Sequence, residues 1–315
     1  MASLPRFRLI DAPSPLQPLP RFCEALGTRT EIWVKREDLL PLAFGGNKLR
    51  NLEFLVGAAL AEGADTLITS GRRWSNHARL TAAAGARAGL AVHLVLSGPP
   101  LDRPGPGVRL AEAFGATVHQ LPTADRDQRE AKVAEVADDV TARGGRPYVI
   151  GVGGTGAVGA YGQLLAGQEV VAQADEVALG IDRIVLASAT GGTQAGLLAG
   201  ARPATRVTGI VVARTADELR PVIARTAAEL GVVVDPADID LDERFIGAGY
   251  GRPTEAAQAA GDLLARTEGV LVDPIYTAKA LAGLVAGVRS GAWDEERIVF
   301  WHAGGLPGLF EPLDA

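Results

Sequence analysis

The sequence predicts an α/β protein with parallel sheets covered by helices on both faces. Two patterns carry that expectation. From about residue 50 onward, apolar runs of strand length alternate with segments whose apolar residues recur at helical spacing. Glycine clusters fall where strands end: "GGN" at 45–47, "GVGGTG" at 151–156, "ATGGTQAG" at 189–196, "GAGYG" at 247–251 and "HAGG" at 302–305. Open α/β sheets bind ligands outside the carboxyl ends of their strands, so these turns predict one cleft assembled from many loops. A single cluster would imply only a tight strand-to-helix turn.

In chain order, Leu49, Leu52, Leu55, Val56, Ala59 and Leu60 fall at helical spacing, and Gly63 can close that helix. "DTLITS" reads as a buried strand. Ser75 can N-cap the helix "NHARLTAAAGARAG". "AVHLVLS" is a strand, "VRLAEAFG" a helix, "TVHQL" a strand, "REAKVAEVADDVTARGG" a helix with a charged face, and "PYVIG" a strand. The second half repeats the rhythm: a helix from about Ala157, the strand "RIVLAS", a glycine turn and helix, the strand "TRVTGIVVA", a helix, the helix "TEAAQAAGDLLARTEG", and the last strand "RIVFWHA".

The 315 residues suffice for one large domain or two medium ones. A hydrophobic share of 47% with 22% charged residues fits a globular protein. The formal net charge of -6 gives no electrostatic case for nucleic acid or an anionic membrane. Cys23 is the single cysteine, which excludes an internal disulfide and points to a reducing compartment, the cytoplasm by default. His77, His93, His119 and His302 are scattered without metal-ligand spacing, so no metal site is expected. No apolar run reaches the roughly 20 residues of a membrane span. The Pro-rich start "MASLPRFRLIDAPSPLQPLPRF" has no continuous apolar stretch and does not read as a secretory signal.

Lysine is rare. Only Lys35, Lys48, Lys132 and Lys279 stand among 31 Lys plus Arg. Lys48 follows Gly-Gly-Asn at the entrance to an amphipathic helix, where arginine would serve unless the site needs an amine that can lose its proton. "GVGGTG" matches G-x-G-x-x-G, and a nicotinamide-dinucleotide oxidoreductase is the competing reading. The acidic residue that should end the next strand is missing, since "RIVLAS" runs into another glycine loop. Thr190, Gly191, Gly192 and Thr193 lie between a strand and a helix, with backbone N–H groups free at the helix start. That is a phosphate cradle without a Walker lysine. A secluded amine, a phosphate cradle and several glycine loops together suit pyridoxal phosphate (PLP), whose aldehyde condenses with a lysine.

Several motifs in order make the chain resemble the fold-type II PLP enzymes of the D-cysteine desulfhydrase and 1-aminocyclopropane-1-carboxylate (ACC) deaminase group. They are "IWVKREDL", "GGNKLRNLEF", "SNHARLTAA", "GAGYGRPT", "EGVLVDPIYTAKALAGL" and "FWHAGGLPGLF", spread over almost the whole chain. The resemblance implies a larger PLP-binding domain from residues 1–50 and 152–315, a smaller inserted α/β domain at 51–151, and a homodimer. It implies that Lys48 is the Schiff-base lysine and proton carrier, that Asn47 lines the cofactor, and that Asn76 meets the ring's phenolic oxygen. Residues 190–193 become the phosphate loop. The helix start at Ser75, Asn76 and His77 would hold a substrate carboxylate, with Ser75 also a plain N-cap. Tyr276 stands near the substrate or is a core aromatic, and Thr277 faces the pyridine nitrogen.

ACC deaminases of this group typically carry Glu at the Thr277 position and Gln at the His77 position. A neutral threonine there favours α,β-elimination from a small β-substituted amino acid over cyclopropane opening. ACC deamination and biosynthetic β-replacement remain the alternatives. The chain departs from the group at Ala189, Ala303 and Gln163, and at "GRRW", where Arg72, Arg73 and Trp74 precede Ser75. Arg72 and Arg73 either contact an anionic substrate side chain, with Trp74 walling the pocket, or point to solvent or an acid.

Overall fold

The computed structural model describes residues 4–99 and 101–313. The strands are β1 (Leu16–Pro18), β2 (Glu31–Arg36), β3 (Thr66–Arg72), β4 (Ala91–Ser97), β5 (Thr117–Leu121), β6 (Pro147–Ile150), β7 (Arg183–Ser188), β8 (Arg206–Val211), β9 (Leu241–Asp242) and β10 (Arg297–His302). The helices are α1 (Pro20–Leu26), α2 (Lys48–Ala61), α3 (Asn76–Ala88), α4 (Pro106–Ala113), α5 (Arg126–Ala142), α6 (Ala157–Glu176), α7 (Gly192–Gly200), α8 (Ala216–Glu229), α9 (Glu255–Glu268) and α10 (Thr277–Arg289). They build two sheets, one ordered β1-β2-β10-β7-β8-β9 and one ordered β5-β4-β3-β6. Every pairing is parallel except β1 with β2.

Period-2 alternation shows why both faces need helices. In β10, Ile298 and Phe300 pack with Leu281 and Leu284 of α10, while Val299 and Trp301 pack with Val170 of α6 and Leu197 of α7. In β3, Leu67 joins Leu52 of α2 and Leu80 of α3, whereas Ile68 turns to Val136 of α5. No helix among the described residues is long and apolar enough to cross a membrane.

The sequence reading begins its alternation near residue 50, but β1, α1 and β2 precede it, and β2 lies inside the larger sheet beside β10. The strand is disguised by charge. Lys35 is 0% exposed and donates to the Ser14 carbonyl (2.6 Å), Glu169 Oε1 (2.5 Å) and Gln173 Oε1 (2.6 Å). Helix α10 is a further element beyond the sequence-read alternation, and the motif "IYTAKALAGL" runs into it. Gly63 follows the C-cap, Glu62, with φ 73°.

Candidate active site

Helix α2 begins at Lys48, and the turn before it is tied to three other segments. Asn47 occupies the N-cap position but makes no side-chain cap. Its amide donates instead to Thr193 Oγ1 (2.9 Å), and its backbone N–H donates to the Ala303 carbonyl (3.0 Å). Its own carbonyl accepts from Gln163 Nε2 (2.7 Å). Gln163 thus supports the lysine turn from below. A Cβ on Gly304 would stand 2.6 Å from Gly46 Cα, so the "GGN" and "AGG" turns touch through bare backbone. The Lys48 side chain reaches into a cleft of ≈ 320 Å³, a volume within the ~300–1,000 Å³ of small-molecule sites. Among the described residues its amine has no hydrogen-bond or ion-pair partner, and burial pushes its pKa down to about 8.

Across the cleft, Ser188 ends β7 and the chain turns through 189–191 into α7. Gly191 takes φ 84°, a conformation that favours glycine. The backbone N–H groups of Thr190, Gly191, Gly192 and Thr193 have no acceptor among the described residues. They stand at a helix N-terminus, which favours an anion. Thr190 Oγ1 accepts from Thr155 Oγ1 (2.7 Å). The G-x-G-x-x-G match packs here as a 3-10 turn, Val152–Gly154, and a Cβ on Gly153 would lie 2.7 Å from Thr190 Oγ1. Ser188 Oγ is buried without a partner among the described residues, and Ser188 lines the cleft. An unpartnered amine, a row of unpartnered N–H groups and an orphaned hydroxyl in one cleft fit a lysine-linked, phosphorylated cofactor.

Helix α3 supplies a second N-terminus. Ser75 Oγ accepts from Ala78 N (3.2 Å), as a capping serine does. The Ser75 N–H is engaged by the Arg72 carbonyl (2.8 Å). The expectation that three N–H groups from Ser75 onward hold a carboxylate therefore shrinks to two, those of Asn76 and His77. Asn76 Oδ1 accepts from Arg79 Nη2 (3.2 Å). The Thr69 hydroxyl donates its one hydrogen to the Ile150 carbonyl (2.8 Å) and lies 3.0 Å from His77 Nε2, so that nitrogen carries the proton. His77 Nδ1 is left as a buried acceptor with no partner. Burial, then the Lys48 charge, pushes the His77 pKa down to about 3, and the ring is neutral.

Tyr276 lines the cleft and bonds the Tyr250 hydroxyl. Tyr250, from the "GAGYG" turn, is a cleft residue to which sequence reasoning assigned no role. Thr277 is expected as a neutral hydroxyl facing the pyridine nitrogen. Instead its Oγ1 donates to Asp273 Oδ2 (2.6 Å) and accepts from the Asp273 N–H (2.9 Å). Toward the cleft it offers only a lone pair, backed by a buried carboxylate whose pKa burial raises. Sequence reasoning missed Asp273, although a "DPIYT" stretch opening a helix is a capping signal: Asp273 Oδ1 accepts from Ile275 N (2.9 Å) and Tyr276 N (2.8 Å).

The three residues of "RRW" separate. Arg72 lines the cleft. Arg73 does not: it donates to the Pro99 (3.3 Å) and Pro312 (3.1 Å) carbonyls and lies over the Trp74 ring. Trp74 is also outside the lining and supports Tyr250 edge-on, 5.8 Å between ring centres. Successive residues at a strand end point to opposite sides, which sends Arg73 away. Gly192 is likewise not in the lining, and a Cβ there would stand 3.2 Å from Thr155 Oγ1. Three arginines that sequence reasoning passed over, Arg126, Arg129 and Arg214, do line the cleft.

A family model described as "Pyridoxal-phosphate dependent enzyme" matches residues 8–304. The chain belongs to the pyridoxal-phosphate-dependent enzymes. It is 43% identical to D-cysteine desulfhydrases of Salmonella typhi and Salmonella newport over 321 residues, covering 98% of this chain and 97% of each relative. Among solved structures, an ACC deaminase homologue superposes with TM-score 0.87 at 34% identity, over 98% of this chain and 94% of that one. A threonine deaminase from T.th. shares the fold with TM-score 0.71 at 22% identity, over 93% and 92%.

Proposed function

We propose that this enzyme is a carbon–sulfur lyase and deaminase. It removes the α-proton and the β-substituent of a small β-substituted amino acid, and α-keto acid, ammonia and the leaving group result. The observation that carries the reading is the Lys48 amine, without a partner among the described residues, on a turn that Asn47 ties to Thr193 of the phosphate cradle. Bound PLP supplies an electron sink for the carbanion at the substrate α-carbon. Lys48 carries the proton, since a pKa near 8 makes it both acceptor and donor close to neutral pH. Asn76 and His77 N–H groups hold the substrate carboxylate, and the 190–193 turn holds the cofactor phosphate. Tyr276 stands at the reacting end, and Thr277 stands at the ring edge. The name shared by the relatives supports a sulfur leaving group.

The two sheets support a division into 1–50 with 152–315 and 51–151. A homodimer in the cytoplasm completes the reading. Exposed Phe44 and Phe310 support the first, and the single free Cys23 the second. ACC opening is a second reading, favoured by the Asp273 carboxylate behind Thr277.

The test uses the purified holoenzyme. Visible absorbance, followed by borohydride fixation, should place the cofactor on the peptide containing Lys48; label on Lys35 or Lys279 would overturn the site. D-Cysteine and β-chloroalanine should give pyruvate and ammonia. Faster conversion of ACC to 2-oxobutyrate would replace the elimination reading by the second one.

A further inference from the structure

One wall of the cleft gathers the guanidinium groups of Arg72, Arg126, Arg129 and Arg214. Arg72 ends β3, and Arg129 stands in the first turns of α5. Arg129 is 9% exposed, and its Nη1 donates to Ser97 Oγ (3.2 Å). Ser97 is the register partner of Arg72 on the neighbouring strand, so the residue that holds Arg129 stands beside Arg72, and both arginines line the cleft. Among the described residues Arg129 Nε is buried without a partner, and the Arg72 guanidinium makes no hydrogen bond or ion pair. The nearby carboxylates are engaged elsewhere. Glu130 accepts from Arg126 Nε (2.9 Å), and Glu218 closes the capping box of α8 with Thr215.

Burial, then the charges of Arg72 and Arg126, pushes the Arg129 pKa down. That is the mark of like charges gathered in a desolvated place. Such a cluster opposes folding until an anion joins it. The pair lies at the reacting end: burial raises the Tyr250 pKa, the Arg72 and Arg129 charges act against that rise, and Tyr250 bonds Tyr276.

We propose that Arg72 and Arg129 seat a tetrahedral oxyanion on the substrate β-carbon, so that the substrate class is an amino acid bearing a β-sulfonate or β-phosphate. Paired guanidinium N–H groups match such an oxyanion in shape and charge. The inference rests on the elimination reading above. The Cα–H bond breaks and its proton passes to Lys48. The bond from Cβ to the oxyanion breaks, and its electron pair leaves with sulfite or inorganic phosphate. One water then converts the resulting 2-aminoacrylate to pyruvate and ammonia. No oxidant or reductant enters.

The test assays holoenzyme on cysteate, O-phosphoserine and β-chloroalanine, in both enantiomers. It measures pyruvate together with sulfite or phosphate, and cofactor affinity by visible absorbance. Wild type should prefer one of the oxyanionic substrates in kcat/KM, and the anion released tells sulfonate from phosphate. In Arg129→Gln and in Arg72→Gln, kcat/KM for that substrate relative to β-chloroalanine should fall by about 10- to 150-fold, as loss of one charge-assisted hydrogen bond implies. Arg129→Lys should recover part of it. Arg72→Gln has no internal partner to lose, so it carries the test if Arg129→Gln does not fold. Pyruvate from β-chloroalanine without preference for either oxyanion overturns this inference and leaves elimination standing. An equal loss on all substrates with weakened cofactor binding assigns the arginines to the cofactor phosphate and also overturns it. No keto acid from any substrate overturns the elimination reading itself.

Discussion

Helix α2 opens with two cations that meet opposite surroundings. Lys48 reaches into the cleft with no partner among the described residues. Arg50, two residues on, is enclosed. Its Nε and Nη2 donate to Glu37 (2.9 and 2.7 Å), and its Nη1 and Nη2 donate to Glu169 (2.7 and 2.8 Å). Lys35 shares that cluster through Glu169 (2.5 Å). Rarity in the sequence marks Lys35 and Lys48 alike. Only the accounting of partners separates them: where every donor is satisfied the charge is scaffold, and where an amine is left open it is available for chemistry.

The sharpest way to break this contrast is to remove each cation in turn. Lys48→Met should lower turnover by ~10²- to 10⁴-fold, the range of a lost general acid–base group. It should not destabilise the fold. The folded-state pKa of about 8 lies below the ordinary lysine value, so the unfolded chain binds the proton more tightly. Stability of the cofactor-free protein is therefore lowest below pH 8 and recovers as pH rises through that value. Lys48→Met should raise the Tm of cofactor-free protein at pH 7, and the gain should fade above pH 10. A Tm loss at pH 7 would mean that Lys48 is structural after all.

Arg50→Met tests the other side. Removing the arginine leaves buried Glu37 without its cation and Glu169 with Lys35 alone, a loss of ~3–5 kcal/mol. Denaturant unfolding of the holoenzyme should show that loss, while kcat of the remaining folded enzyme changes far less than in Lys48→Met. A change below about 1 kcal/mol would show that water or rearrangement satisfies the two carboxylates.

The same contrast explains what the sequence disclosed. The strands β4, β5 and β7 match their sequence-read bounds; β4 and β7 are mostly buried and read as short apolar runs, whereas β5 is a part-exposed edge strand. β2 did not, because Lys35 and Arg36 look like surface until Glu169 and Asp38 are placed beside them. In the cleft, Lys48, Ser75 and the 190–193 turn were legible from local signals: a glycine turn, an N-cap, a strand-to-helix junction. Arg129 and Asp273 were not. Arg129 belongs to a helix face that reads as solvated charge, and only the approach of α5 to the end of β3 turns it into a cleft residue. Arg72 and Arg73 are indistinguishable in composition, and the strand's alternation decides between them.

His77 sharpens the comparison with a smaller effect, since it combines one engaged atom with one open one. Nε2 donates to Thr69, whereas Nδ1 is buried and unpartnered. The folded ring stays neutral down to about pH 3, but the unfolded chain takes up a proton near pH 6.5. Acid therefore favours the unfolded state, and stability contributed by neutral His77 is lost as pH falls below about 6.5. Between pH 6.5 and 5 that loss amounts to ~2 kcal/mol, at 1.36 kcal/mol per pH unit. His77→Gln keeps an amide donor for Thr69 and cannot titrate. Its denaturation free energy should fall less than that of wild type over this pH interval, by about that amount. Equal acid sensitivity in the two proteins would mean that the His77 ring is already charged or solvated in the folded state. The tautomer that leaves Nδ1 as a buried, unpartnered acceptor would then be wrong.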